Sequence, residues 1–202
     1  MRRMLEGVTD SAGYIAKMRE VDPTLIRLLE ETGTSTNTMV KLLRNNDPVH
    51  LKRVLESSYL VRAADVGFEA TTEFYDDWRD AERLLRTELM KRGPVDREPQ
   101  FIGLIMPFLC GGCRLPDARL VLDSVVEFHE SKVGFVRGIF AWKQFKKDID
   151  LVLDNKAQAV VWHFFASGRT GKIGPSRILL EKMERLAADN GVVFKAVLHI
   201  PD

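Results

Sequence analysis

The sequence is poor in the residues that most often carry chemistry by themselves: of 202 residues only 2 are cysteine and 4 histidine. Two thiols cannot build a disulfide scaffold or fill a four-ligand zinc site. They stand together as Cys110-Gly-Gly-Cys113. A redox pair of this spacing is expected at a helix N-terminus in a βαβ unit. Here it precedes a strand pattern, so a glycine-rich turn with two incidental thiols is the plainer reading. The histidines are scattered and no serine sits in a nucleophile motif, which removes Ser-His-Asp and Cys-His catalysis from consideration.

Long apolar runs are missing as well. No stretch approaches the roughly 20 residues a membrane helix needs. The arginines at positions 2 and 3 have no apolar segment behind them, so neither a membrane segment nor a signal peptide is expected, and a soluble chain is. Net charge is nearly absent, +1 overall, but it is unevenly spread: residues 1–100 carry 16 Lys+Arg against 18 Asp+Glu, and residues 101–202 carry 14 against 11. The stretch 130–177 is the most basic, with nine cations and four anions. That balance suits either a solvated basic face or a phosphate-bearing partner.

What is present divides the chain in two. Residues 1–98 read as a helical region. Asp22-Pro23 and Asp47-Pro48 are helix starts, and "TTEFYDDWRDAERLLRTELMKRG" ends on a Lys-Arg-Gly stop. The proline-containing, charged segment "RGPVDREPQ" is the boundary. Residues 99–202 read as α/β. "FIGLIMPFL" is a short helix or a strand; "DARLVL", "VVEFHESKV", "AQAVVWHFF" and "VVFKAVLHI" are strands. "FAWKQFKKDIDLVLDN" is an amphipathic helix, and "GPSRILLEKMERLAADNG" is a helix capped by Ser176 and stopped by Gly191. The expected fold is therefore a mixed sheet flanked by helices.

One hairpin concentrates charge. If Asp123-Ser124 is a two-residue turn, Leu122 faces Val125, and counting outward sets Asp117 opposite Glu130. Paired residues share a face of the sheet, with Cβ atoms about 4.5–5.5 Å apart. Lys132 lies two residues further along the same face. Opposed carboxylates repel, and a divalent cation removes that penalty. Mg²⁺ takes one or two carboxylates, waters and phosphate oxygens. A bound metal activates water, and a neighbouring lysine orients it or offsets developing charge. Phosphodiester hydrolysis needs those functions.

Pro116-Asp117, twelve residues, then Glu130-Ser131-Lys132 resembles the PD-(D/E)xK signature of restriction-endonuclease-like nucleases. The longer series "HESKVG", "WHFF" and "GPS" resembles the nuclease domains of bacterial polymorphic toxins, over about residues 111–200. The resemblance implies a restriction-endonuclease-like fold and a metal-dependent nuclease, with DNA favoured over RNA. It implies Asp117 and Glu130 as ligands of Mg²⁺ or another divalent cation, Lys132 beside the attacking water, and Gln144 as polar support. It further implies a toxin effector delivered into a target cell, and an immunity protein in the producer.

Other readings stay open beside it. "SGRTGKIGPS" lies between a strand and a helix, but only two residues separate Gly168 from Gly171 and Ile173 follows Lys172, so it is not a Walker loop. It is either a surface turn or a helix N-terminus that holds a phosphate of bound nucleic acid, with Arg169 and Lys172 as contacts and Lys143 and Lys147 on the preceding helix. His129 should point away from Glu130 and be structural; His163 suits a satisfied buried histidine better than a ligand; His199 has no assigned role. The alternative for the whole chain is a non-catalytic module that binds nucleic acid or protein.

Overall fold

The computed structural model describes residues 10–57, 59–70, 72–101 and 113–202. Cys110, and the apolar run "FIGLIMPFL" beyond Phe101, lie outside the described residues. Four helices open the chain: α1 (Ser11–Val21), α2 (Pro23–Glu31), α3 (Thr36–Asn45) and α4 (Pro48–Leu55). Their starts are written locally. Asp22 and Asp47 accept hydrogen bonds from Leu25 and Val49 N–H, with proline in the first turn, where its missing N–H costs nothing.

A strand, β1 (Leu60–Arg62), follows, then α5 (Trp78–Met90), β2 (Val95–Asp96) and β3 (Gln100–Phe101). So the segment 1–98 is not helical throughout: residues 60–62 and 95–96 are strands, because sheet neighbours supplied later in the chain take up their backbone groups. The remainder runs β4 (Cys113–Arg114), β5 (Ala118–Leu122), β6 (Val125–Val133), β7 (Phe135–Val136), α6 (Ile139–Leu153), β8 (Ala159–Phe165), β9 (Gly174–Pro175), α7 (Arg177–Asp189) and β10 (Val193–His199). Ser176 caps α7 by accepting from Leu179 N–H, and Gly191 follows it at φ +63°.

The main sheet has six strands in the order β1-β10-β8-β6-β5-β2. The first four are mutually parallel; β5 runs antiparallel to them, and β2, antiparallel to β5, runs in their direction again. This is a mixed α/β architecture, a mixed sheet with helices on both faces. Strand β8 is buried along its whole length and its side chains alternate between two cores. Val160, Trp162 and Phe164 enter a core shared with α1–α4, α6 and α7. Val161 and Phe165 enter another with Leu85 and Leu89 of α5. The first hundred residues thus contribute to the sheet and to both cores. No helix among the described residues is long and apolar enough to cross a membrane.

Candidate active site

The β5–β6 hairpin turns at Asp123-Ser124, and Asp123 takes the left-handed φ of +52° that a tight two-residue turn demands. Leu122 pairs with Val125 and Ala118 with His129. Continuing by one residue puts Asp117 across from Glu130. The Ser131 amide donates to Asp117 Oδ2 at 2.7 Å, which fixes that carboxylate against β6. Lys132 Nζ reaches Glu130 Oε1, and lies 5.1 Å from the centre of the Trp162 ring. Asp117, Glu130 and Lys132 therefore converge. Asp117 is half-buried, while Glu130 is only 3% exposed.

Two further charged groups complete the cluster. Arg114, on β4, donates from Nη2 to Glu130 Oε2 at 2.5 Å and from Nε to Asp148 Oδ1 at 2.7 Å. Asp148, on α6, also accepts from Trp162 Nε1 at 3.0 Å. With all groups ionised, three carboxylates face two cations, an excess of one negative charge. The excess falls on Asp117. Burial first, then the charge of Glu130, pushes its carboxyl up to about 7, against the opposing pull of the Ser131 amide and Lys132. Burial also raises Asp148, while Arg114 and Trp162 pull it down. Burial alone would lower Arg114, but Asp148 and Glu130 more than offset it and keep the guanidinium charged.

Sequence reasoning missed Arg114 and Asp148. Asp148 had a legible signal, since it lies three residues after Phe145 and beside Ile149, on the buried side of α6. An aspartate there needs a partner. Arg114 had none, because its partners stand 16 and 34 residues away.

The other proposed residues are placed as follows. Gln144 is half-buried on α6, one turn before Asp148. Lys143 is exposed on the same helix, and Lys147 donates to the Cys113 carbonyl at 3.1 Å. Arg169 and Lys172 are exposed on the loop between β8 and α7.

The cluster offers a cation two carboxylates. Among the described residues no group of three or more His, Cys, Asp or Glu is placed to hold a metal. Asp117 lies just before β5 and Glu130 on β6, and Mg²⁺ is commonly held by two carboxylates with waters and substrate oxygens. Both Glu130 oxygens already face cations, so coordination there requires Lys132 to swing away. The unbalanced negative charge at Asp117 favours the exchange.

The opposite face of the sheet carries a second polar array. His129, His163 and His199 stand diagonally on β6, β8 and β10, linked by ring nitrogen contacts of 2.9 and 2.8 Å. Glu127 Oε2 faces His129 Nε2 at 3.4 Å. Glu127 accepts only, so His129 carries its proton on Nε2 and accepts at Nδ1 from His163, which accepts in turn from His199. All three rings are neutral in that chain. Burial lowers the affinity of His163 and His199 for a proton, His199 to about 3.

Above an ordinary histidine value near 6.5 the folded and unfolded chains bind no proton on these rings, and nothing changes. Below it only the unfolded chain takes protons, so stability falls with pH. The slope is about 1.4 kcal/mol per pH unit for each ring, roughly 3 for His163 and His199 together. Urea unfolding at pH 7.5 and 5.5 checks this: the midpoint should drop steeply, and an unchanged midpoint contradicts the neutral chain.

No protein-family model matches the chain, and no curated protein matches it. Among solved structures it is similar to "The structure of Pyrococcus Furiosus SfsA in complex with Ca2+", with a TM-score of 0.40 and 15% identity. The match covers 60% of this chain and 58% of that one, so the chain spans under two thirds of that protein's length.

Proposed function

We propose that the chain is a metal-dependent nuclease that hydrolyses phosphodiester bonds, with DNA favoured as substrate. The observation that supports it is the convergence of Asp117, Glu130 and Lys132 in one half-buried cluster that carries an excess negative charge. Asp117 and Glu130 would hold Mg²⁺ or another divalent cation, which supplies a water of lowered pKa and a counter-charge for the phosphate. Lys132, released from Glu130, would orient that water or meet the charge that develops. Arg114 holds Glu130 in place, a positioning role. Gln144 is a polar support from α6, and Lys143, Lys147, Arg169 and Lys172 are the proposed backbone contacts.

A second reading is favoured by the engagement of both Glu130 oxygens. A non-catalytic module would use Arg114, Glu130, Lys132 and Asp148 as an ion-pair cluster that locks β4, β6 and α6 together. Cleavage of plasmid DNA with Mg²⁺ or Mn²⁺ separates the two. The nuclease reading expects cleavage that EDTA abolishes and that Lys132→Ala lowers at least about a hundredfold. A folded protein inert on DNA and RNA with several metals would leave the ion-pair cluster as its explanation. The setting of a delivered toxin with an immunity protein rests on the resemblance in "HESKVG", "WHFF" and "GPS" alone. Growth arrest on expression, relieved by Lys132→Ala, is its test.

A further inference from the structure

A cavity of about 620 Å³ lies between α4, β7 and the start of α7. Its volume falls in the ~300–1,000 Å³ range of small-molecule sites. Its wall is apolar where a surface groove is ordinarily polar: Val49 is 71%, Ile178 63% and Phe135 38% exposed, all lining the same space. Its rim is charged with both signs, Arg53, Lys172 and Arg177 beside Asp47 and Glu181. Asp47 is committed to capping α4 and Arg53 to Glu184 at 3.1 Å. Glu181 is only loosely held by Arg177, at 3.9 Å. Among the described residues Lys172 pairs with no carboxylate, and its ammonium stands 5.8 Å from the Phe135 ring centre.

The cavity is held in shape from several sides. Asn46 donates to the Gly171 carbonyl at 3.0 Å and accepts from the Ile173 amide at 3.2 Å, which clamps the Lys172 loop onto the helices. Gly171 sits so close to Asn45 that an added Cβ would lie 2.5 Å from its amide nitrogen. The Ser176 amide donates to the Val136 carbonyl at 2.7 Å, seating the start of α7 beside β7. His50 meets Phe135 edge-on at 5.7 Å and sets that ring's orientation. Phe135 follows Lys132 by three residues, a separation of at most about 10 Å along the chain.

We propose that this cavity binds one nucleoside monophosphate unit. The phosphate would take Lys172, Arg177 and the Arg177 and Ile178 amides, which lack intrahelical acceptors. The base would lie against Phe135, Val49 and Ile178. A ligand with one anionic end and one flat apolar end satisfies both halves of the lining, whereas phosphate alone leaves the apolar wall wet and an apolar peptide leaves the cations unmatched. The proposal rests on the nuclease reading only for the origin of the nucleotide: a unit of the polynucleotide being cleaved, or a free mononucleotide.

Equilibrium binding in EDTA, where no cleavage occurs, tests it with deoxyadenosine monophosphate, inorganic phosphate and a short single-stranded oligonucleotide. Deoxyadenosine monophosphate should bind at least about tenfold tighter than phosphate. Lys172→Glu with Arg177→Glu, both at exposed positions, should weaken it at least about tenfold, and so should Ile178→Asp. Lys132→Ala should still bind it, so a failed nuclease reading would not remove this result. An oligonucleotide that binds where the mononucleotide does not, and is lost in the same variants, assigns the unit to a polynucleotide chain. No binding of either probe at about 5 mM, or binding that the charge reversals leave unchanged, overturns the proposal.

Discussion

Arg114→Met should destabilise the protein by about 3–5 kcal/mol, the range expected when one partner is removed from a buried ion pair. Arg114 is 7% exposed, and Glu130 and Asp148 are more buried still. Methionine fills much of the volume but leaves Asp148 with only the Trp162 indole. Glu130 keeps Lys132 alone. For a chain of this length each kcal/mol corresponds to roughly 2–4 °C, so the melting midpoint should fall by about 6–20 °C at pH 7. Adding Asp148→Asn should recover part of the loss, because the amide oxygen still accepts from Trp162 and the uncompensated charge is gone. Thermal melts of the two variants decide the matter. A fall of under about 3 °C in Arg114→Met would mean that Arg114 does not bridge the two carboxylates.

Asp117→Asn should separate activity from stability by moving them in opposite directions. Its carboxyl is raised to about 7, so below an ordinary value near 4 both folded and unfolded chains are protonated and nothing is at stake. Between the two values the unfolded chain ionises first, and the cost to the fold accumulates. Above pH 7 the cost is complete. Asparagine cannot ionise and keeps an oxygen for the Ser131 amide. The variant should therefore gain about 1–2 kcal/mol at pH 8, an amount reduced from the full linkage value because Asp117 keeps some contact with water. It should gain nothing at pH 4. On the nuclease reading it should also lose cleavage by at least about a hundredfold, since a neutral amide holds a divalent cation poorly. Denaturation midpoints at both pH values and a cleavage assay read out the two arms. A variant less stable than the parent at pH 8 would show that the hairpin is not strained by opposed charge.

The hairpin was legible because its register depends on local chemistry. Asp123 tolerates a left-handed φ, and the alternation of β6 tells which residues share a face. The same alternation placed His129 away from Glu130. The helix starts at Asp22, Asp47 and Ser176 were legible for a similar reason, since a cap is decided within four residues.

What could not be read depended on strands meeting across the sheet. The histidine chain requires β6, β8 and β10 to align in parallel with a diagonal offset, which no single segment encodes. The ion pairs of Arg114 require β4, α6 and β6 to meet at one point. Strand β1 escaped notice because three residues after a helix carry little periodicity. Leu60, Val61 and Arg62 become a strand through Ala196, Val197 and Leu198, which come more than 130 residues later.

That strand has a consequence for any attempt to divide the chain at residue 98. A piece starting there would present β10 with a bare row of amides and carbonyls along its flank, and the apolar side chains of β8 would lose their cover from α5. Such a piece would invite a second molecule to supply the missing strand, and fibrils or swapped dimers are the ordinary result of that invitation. Strand β1 is therefore a chaperone that never leaves: it seals in the finished protein the flank on which separate copies would otherwise stack.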